Sequence, residues 1–165
     1  DAILGAKNIY ILGVRSSAAI ATFLSFYFNL MFDNVHHIHT SSNAEMFEQM
    51  IRIDKDDVVI GISFPRYSSR TVKAMKFAYD RGATVIALTD SLAAPIARNA
   101  THTLIAMSDM VSLVDSLVAP LSVVNALIVA CSYRKEEAIS KTFANLEEIW
   151  DEYGVYEKVD DLGGV

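Results

Sequence analysis

Two stretches of this chain gather the residue types that hold an anion. The first is Gly13-Val14-Arg15-Ser16-Ser17, and the second is Ser63-Phe64-Pro65-Arg66-Tyr67-Ser68-Ser69-Arg70-Thr71. Each follows a short apolar run and leads into a segment with helical spacing. The free N–H groups and the dipole at a helix N-terminus favour negative charge. Serine hydroxyls add neutral donors suited to phosphate oxygens, and Arg15, Arg66 and Arg70 add charge-assisted bonds. Capping also recruits serine, with Ser16 or Ser17 as the expected cap of the first helix, so either loop alone has a second explanation. Two such loops at adjacent strand ends favour a ligand.

Other chemistries find less support. Gly13 opens no G-x-x-x-x-G-K-[ST], and Arg15 and Ala18 stand where G-x-G-x-x-G requires glycine. Ser63 ends the third apolar run, where a response regulator carries its acceptor aspartate. His37 and His39 share one face of a strand, with His36 on the other. No third ligand of fitting type follows nearby, so they read as strand histidines and no metal is expected. His102 reads as structural, and no cofactor is expected. Thr89-Asp90-Ser91 reads equally well as a wall of the pocket or as a simple turn. Cys131 lies in an apolar run and reads as a small buried hydrophobe.

The loops need a frame to aim them. Five short apolar runs alternate with helical segments: Asn8–Gly13, Val35–Thr40, Asp57–Ser63, Ala83–Thr89 and Thr101–Met107. Ile9-Tyr10-Ile11-Leu12 and Val58-Val59-Ile60-Gly61-Ile62 are apolar throughout, which means burial on both faces of a parallel sheet. The periodicity predicts helices over Ser16–Phe32, Asn43–Ile51, Ser69–Arg81, Ser112–Arg134 and Glu136–Trp150, with a short one over Ala94–Asn99. Gly82 stops the third as a C′ glycine. The fold class is α/β, a flavodoxin-like three-layer sandwich with a five-stranded parallel sheet ordered 2-1-3-4-5. The order reverses between the first and third strands, and ligands of such sheets bind there, beyond the strands' carboxyl ends.

The bulk properties narrow the partners. A formal charge of −6, without any basic run, argues against gripping nucleic acid or an anionic membrane directly. The apolar stretch Leu113–Tyr133 carries Asp115, Pro120 and Asn125, so it reads as a buried helix and not a membrane span. With no secretory signal, the cytoplasm is the expected compartment. Ser16–Phe32 and Ser112–Tyr133 are apolar around most of their circumference, which suggests a homodimer; the alternative is that Glu136–Trp150 covers them within one chain. One domain is expected over 1–165, with a core at about 7–134 and a C-terminal helix at about 136–150.

Gly13-Val14-Arg15-Ser16-Ser17, the loop from Ser63 to Ser68, and Ala94-Pro95-Ile96-Ala97 together resemble the sugar isomerase (SIS) family. Its elements are a Gly-x-x-Ser turn, an S-x-S-G-x-T turn and an S-P-L-A element. Here Ser63 is kept, Ser68 replaces the threonine, Pro65-Arg66 replaces Ser-Gly, and Ala94 lacks the hydroxyl. Phe64-Pro65-Arg66-Tyr67-Ser68 and Asp115-Ser116-Leu117-Val118-Ala119-Pro120 are similar to the effector domain of RpiR-type transcriptional regulators. The resemblance implies a sugar-phosphate sensor with ligand contacts at Gly13, Arg15, Ser16, Ser17, Ser63, Arg66, Tyr67, Ser68 and Ser69. It also implies DNA contact only through an upstream helix-turn-helix domain outside this sequence, which begins at Asp1. No catalytic residue is expected. The alternative is an aldose–ketose isomerase drawing on Glu45, Glu48, Asp90, Asp109 or Asp115 and on His39 or His102.

Overall fold

The computed structural model describes residues 1–111 and 114–157. Its central sheet has five parallel strands: β1 (Ile9–Gly13), β2 (Val35–Ile38), β3 (Val58–Ile62), β4 (Thr84–Thr89) and β5 (His102–Ile105). Their order is β2-β1-β3-β4-β5, the order expected of the flavodoxin-like fold class. β1 and β3 are buried along their whole length, and Gly13 pairs with Ile62 at their carboxyl ends.

Side chains alternate between two apolar layers because successive strand residues point to opposite faces. Ile9, Ile11, Ile60 and Ile62 meet Ile20, Leu24 and Phe28 of α1 (Ser16–Met31) and Val124 of a later helix. Tyr10, Leu12, Val59 and Val85 meet Met46 and Met50 of α2 (Asn43–Met50), Met75 of α3 (Ser69–Asp80) and Ile96 of a 3-10 turn at Pro95–Asn99. Fully burying one such aliphatic or aromatic side chain stabilises the fold by about 1.5–3 kcal/mol. Arg81 closes α3 and Gly82 follows at φ 82°, a conformation glycine adopts without steric cost.

The expected helix over Ser112–Arg134 is shorter than its apolar pattern suggests. Met110–Val111 and Val114–Asp115 form two short antiparallel strands, β6 and β7, and α4 runs from Val118 to Arg134. Pro120 explains the late start. It has no N–H to bond the carbonyl of Ser116, so it fits the first turn of a helix but not the interior of one begun at Ser112. That carbonyl instead accepts the Ser108 hydroxyl at 3.0 Å. Ser112 and Leu113 lie outside the described residues.

The final helix, α5 (Glu136–Glu152), lies against α1. Lys135, just before it, donates to the Met31 carbonyl at 2.7 Å and sits 4.3 Å over the Phe32 ring. Ile139 joins the α1 layer, yet α5 has no fully buried residue. Among the described residues no helix is long and apolar enough to cross a membrane. Cys131 is buried, and burial raises its thiol pKa.

Candidate functional site

The sheet delivers both hydroxyl-rich loops to one place. β1 and β3 are neighbours, so the loops leaving them share the edge where strand order reverses. α1 starts close to β1 because Gly13 has no side chain; a Cβ there would stand 2.6 Å from the Ser17 carbonyl oxygen. Arg15 (φ 57°) and Arg66 (φ 62°) are the only non-glycine residues at positive φ among the described residues. Each sits in one of the two loops. Such backbone costs on the order of 1–3 kcal/mol and gathers at functional sites. Arg66 stands where the S-x-S-G-x-T pattern has glycine; it takes a left-handed backbone there and adds a cationic side chain.

The serines have distinct local roles. Ser63 Oγ accepts the Ser68 backbone N–H at 3.2 Å, which folds the β3–α3 loop back on itself. Ser68 is the N-cap of α3, its Oγ accepting the Thr71 N–H at 3.4 Å. In both cases the hydroxyl hydrogen stays available to a ligand. Ser16 and Ser17, expected as caps, cap nothing, because Arg15 holds the N-cap position of α1 without a side-chain bond. Ser16 instead donates to Asp115 Oδ2 at 3.0 Å.

Two adjoining clefts open here. The smaller, about 290 Å³, is lined by Ser16, Ser17, Ser63, Arg66 and Asp115 among others. The larger, about 740 Å³, is lined by Gly13, His39, Thr40, Asn43, Glu45, Ser69 and Arg70 among others. Val14, Arg15 and Ser68 line both. Eight of the nine expected ligand residues thus face one composite cavity.

Tyr67 lines neither cleft. Its hydroxyl donates to Asp90 at 2.9 Å and ties the β3–α3 loop to the end of β4. Burial, reinforced by that bond, lifts its phenol above the ordinary range. Arg70, expected to reach an anion, donates instead to Asn43 Oδ1 at 2.8 Å and to the carbonyls of Thr40 (3.0 Å) and Ser41 (2.6 Å). Thr40, Ser41 and Asn43 belong to none of the family elements in this sequence. Their signal was the polar run Thr40-Ser41-Ser42-Asn43 after the second strand.

Of the candidate acid–base groups, His39, Glu45 and Asp115 reach the clefts. His102 heads β5, at the strand's opposite end. Burial, then the charge of His39, holds His37 below its ordinary value. Among the described residues no three His, Cys, Asp or Glu side chains are grouped to hold a metal ion.

The model of the SIS domain family matches residues 2–130. The chain belongs to the SIS domain family. This SIS domain is similar to the sugar isomerase domain of an RpiR transcription factor from Sphaerobacter thermophilus. That likeness has 30% identity and a TM-score of 0.83, over 89% of this chain and 82% of that one. It is 33% identical over 101 residues to an uncharacterised HTH-type transcriptional regulator of Haemophilus influenzae, covering 61% of this chain and 34% of that protein. The SIS domain therefore spans about a third of the regulator's length. The NanR protein of Vibrio vulnificus, in complex with ManNAc-6P, shares the fold at 18% identity and a TM-score of 0.78, over 92% of this chain and 58% of that one.

Proposed function

We propose that this SIS domain, a single domain over residues 1–165, is the sugar-phosphate sensor of an RpiR-type transcriptional regulator. The carrying observation is the convergence of the β1–α1 and β3–α3 loops, with Ser16, Ser63, Ser68 and Arg66 lining one cleft. The hydroxyls of Ser63 and Ser68 and the Arg66 guanidinium around a small cavity suit a phosphate group. Likeness to regulators, one an RpiR transcription factor, supports the regulatory role. In this reading the domain works in the cytoplasm as a homodimer, and DNA is held by a separate helix-turn-helix domain.

A thermal-shift panel of hexose, pentose and amino-sugar phosphates tests the proposal. A ligand that binds only the native state stabilises it by RT ln(1 + [L]/Kd), about 2.7 kcal/mol at a hundredfold excess over Kd. At least one sugar phosphate should raise Tm while its free sugar does not. A panel without any shift contradicts the reading.

One observation favours an isomerase: His39 and Glu45 both line the larger cleft. Aldose–ketose isomerisation needs a base such as Glu and is often helped by His. The sensor reading leaves both without catalytic roles. Turnover of the bound sugar phosphate on the order of 1 s⁻¹, within the ordinary enzymatic range, would favour the isomerase.

A further inference from the structure

The two clefts differ in chemistry as well as size. The smaller gathers Ser16, Ser63, Ser68 and Arg66. The larger adds His39, Thr40, Ser41, Asn43 and Glu45 from β2, α2 and the loop between them. Each cleft has one carboxylate on its wall, Asp115 in the smaller and Glu45 in the larger, so the other groups distinguish them: Ser63 and Arg66 from the β3–α3 loop line only the smaller. Sugar hydroxyls both donate and accept, so a carboxylate, hydroxyls, an amide and an imidazole suit them. The volume of about 740 Å³ also lies in the range of small-molecule pockets.

Two arginines line this cleft, Arg15, which it shares with the smaller one, and Arg70, whose guanidinium is committed. All three nitrogens donate to one short segment: Nε to Asn43 Oδ1, Nη1 to the Thr40 carbonyl and Nη2 to the Ser41 carbonyl. The planar fork of arginine makes such a three-point grip, and the point charge of lysine cannot reproduce it. Arg70 lies in the first turn of α3, beside the Ser68 cap. It therefore ties the β2–α2 loop to the helix that carries the anion-binding serine. Thr40 in turn donates its hydroxyl to Glu45, which fixes a carboxylate on the wall of the larger cleft.

Resting on the proposed sugar-phosphate reading, we infer that the larger cleft takes the carbohydrate portion of the ligand and that Arg70 is the positioning residue that shapes it, not a ligand of the phosphate. Arg70 acts through the loop it holds. Its loss should leave the anion's own contacts in place and spoil those to the sugar.

The test is calorimetric titration of the full chain and of Arg70→Lys with inorganic phosphate, glucose 6-phosphate, glucosamine 6-phosphate and ManNAc-6P. For the tightest wild-type sugar phosphate, Arg70→Lys should lose about tenfold or more in affinity, about 1.4 kcal/mol. Its affinity for inorganic phosphate should stay within about twofold of wild type. Glu45→Gln, which keeps the side-chain shape, should show the same split if Arg70→Lys fails to fold. Equal losses for both probes would make Arg70 an anion ligand, or a merely structural residue, and overturn the inference alone. Unchanged binding of both probes would overturn it too. A wild type that binds no sugar phosphate more tightly than inorganic phosphate overturns the inference and the sensor reading together.

Discussion

Ser16 donates its hydroxyl to Asp115 at 3.0 Å, joining the first turn of α1 to a segment 99 residues later that leads into α4. Both residues line the smaller cleft. The bond uses the hydrogen that Ser16 would offer a phosphate and sets a carboxylate beside the anion's place. At the effective dielectric of a surface cleft, such a charge several ångströms from a phosphate costs on the order of 1 kcal/mol. Asp115→Asn should therefore tighten sugar-phosphate binding by about fivefold. Calorimetry decides; weaker binding by the variant would mean that Asp115 holds a sugar hydroxyl instead.

Ser68 has two roles that can be measured separately. As the N-cap of α3 it accepts the Thr71 N–H, and its replacement by alanine should cost about 1 kcal/mol of stability. As an anion ligand it should contribute roughly 1.5–3 kcal/mol, so Ser68→Ala should bind about tenfold to a hundredfold more weakly. Ser91, whose hydroxyl accepts the Ala93 N–H and which lines neither cleft, is the control. A folded Ser68→Ala that binds like wild type would move the phosphate elsewhere.

His37 should make stability depend on pH. Its ring nitrogen Nε2 is buried with no hydrogen-bond partner among the described residues, and burial lowers its pKa from 6.5. The folded state thus prefers neutral imidazole, while the unfolded chain takes the proton near the ordinary value. Where the unfolded state binds more protons, stability rises with pH. The contribution is whole above about 6.5, falls as pH drops toward the lowered folded value, and then levels. His37→Phe should flatten that part of the thermal-denaturation profile. An unchanged pH dependence in the variant would contradict this.

The sheet was legible because β1 and β3 are apolar without interruption, a pattern that fits strands covered on both faces. The two loops were legible from their serines and from the order reversal that follows from the fold class. The start of α4 was not, because hydropathy runs on through Asp115 and only the missing N–H of Pro120 sets the boundary. Arg70 misled for a related reason: sequence gives its charge but not the carbonyls of Thr40 and Ser41 that claim it. Tyr67 lies within the right loop, yet its hydroxyl reaches Asp90 on the neighbouring strand's end, a pairing no local pattern encodes.

The apolar helices should pair two copies of the chain. α5 covers α1 in part, as the intrachain alternative required, but Phe26 (61% exposed), Tyr133 (75%) and Ile149 (48%) remain outside. Light scattering at micromolar concentration should give twice the 18.2 kDa chain mass. Tyr133→Glu should shift the species toward monomer. A clean wild-type monomer would contradict the homodimer.

The most direct test of the sensor reading compares phosphorylated and free sugars by calorimetric titration. The pairs are glucose 6-phosphate with glucose, glucosamine 6-phosphate with glucosamine, and ManNAc-6P with N-acetylmannosamine. At least one phosphorylated member should bind at one site per chain. The free sugar should bind about a hundredfold more weakly or worse, since two or more charge-assisted bonds of about 1.5–3 kcal/mol each are lost. Equal affinity for both members of the pair, or no binding by any phosphorylated sugar, would contradict it.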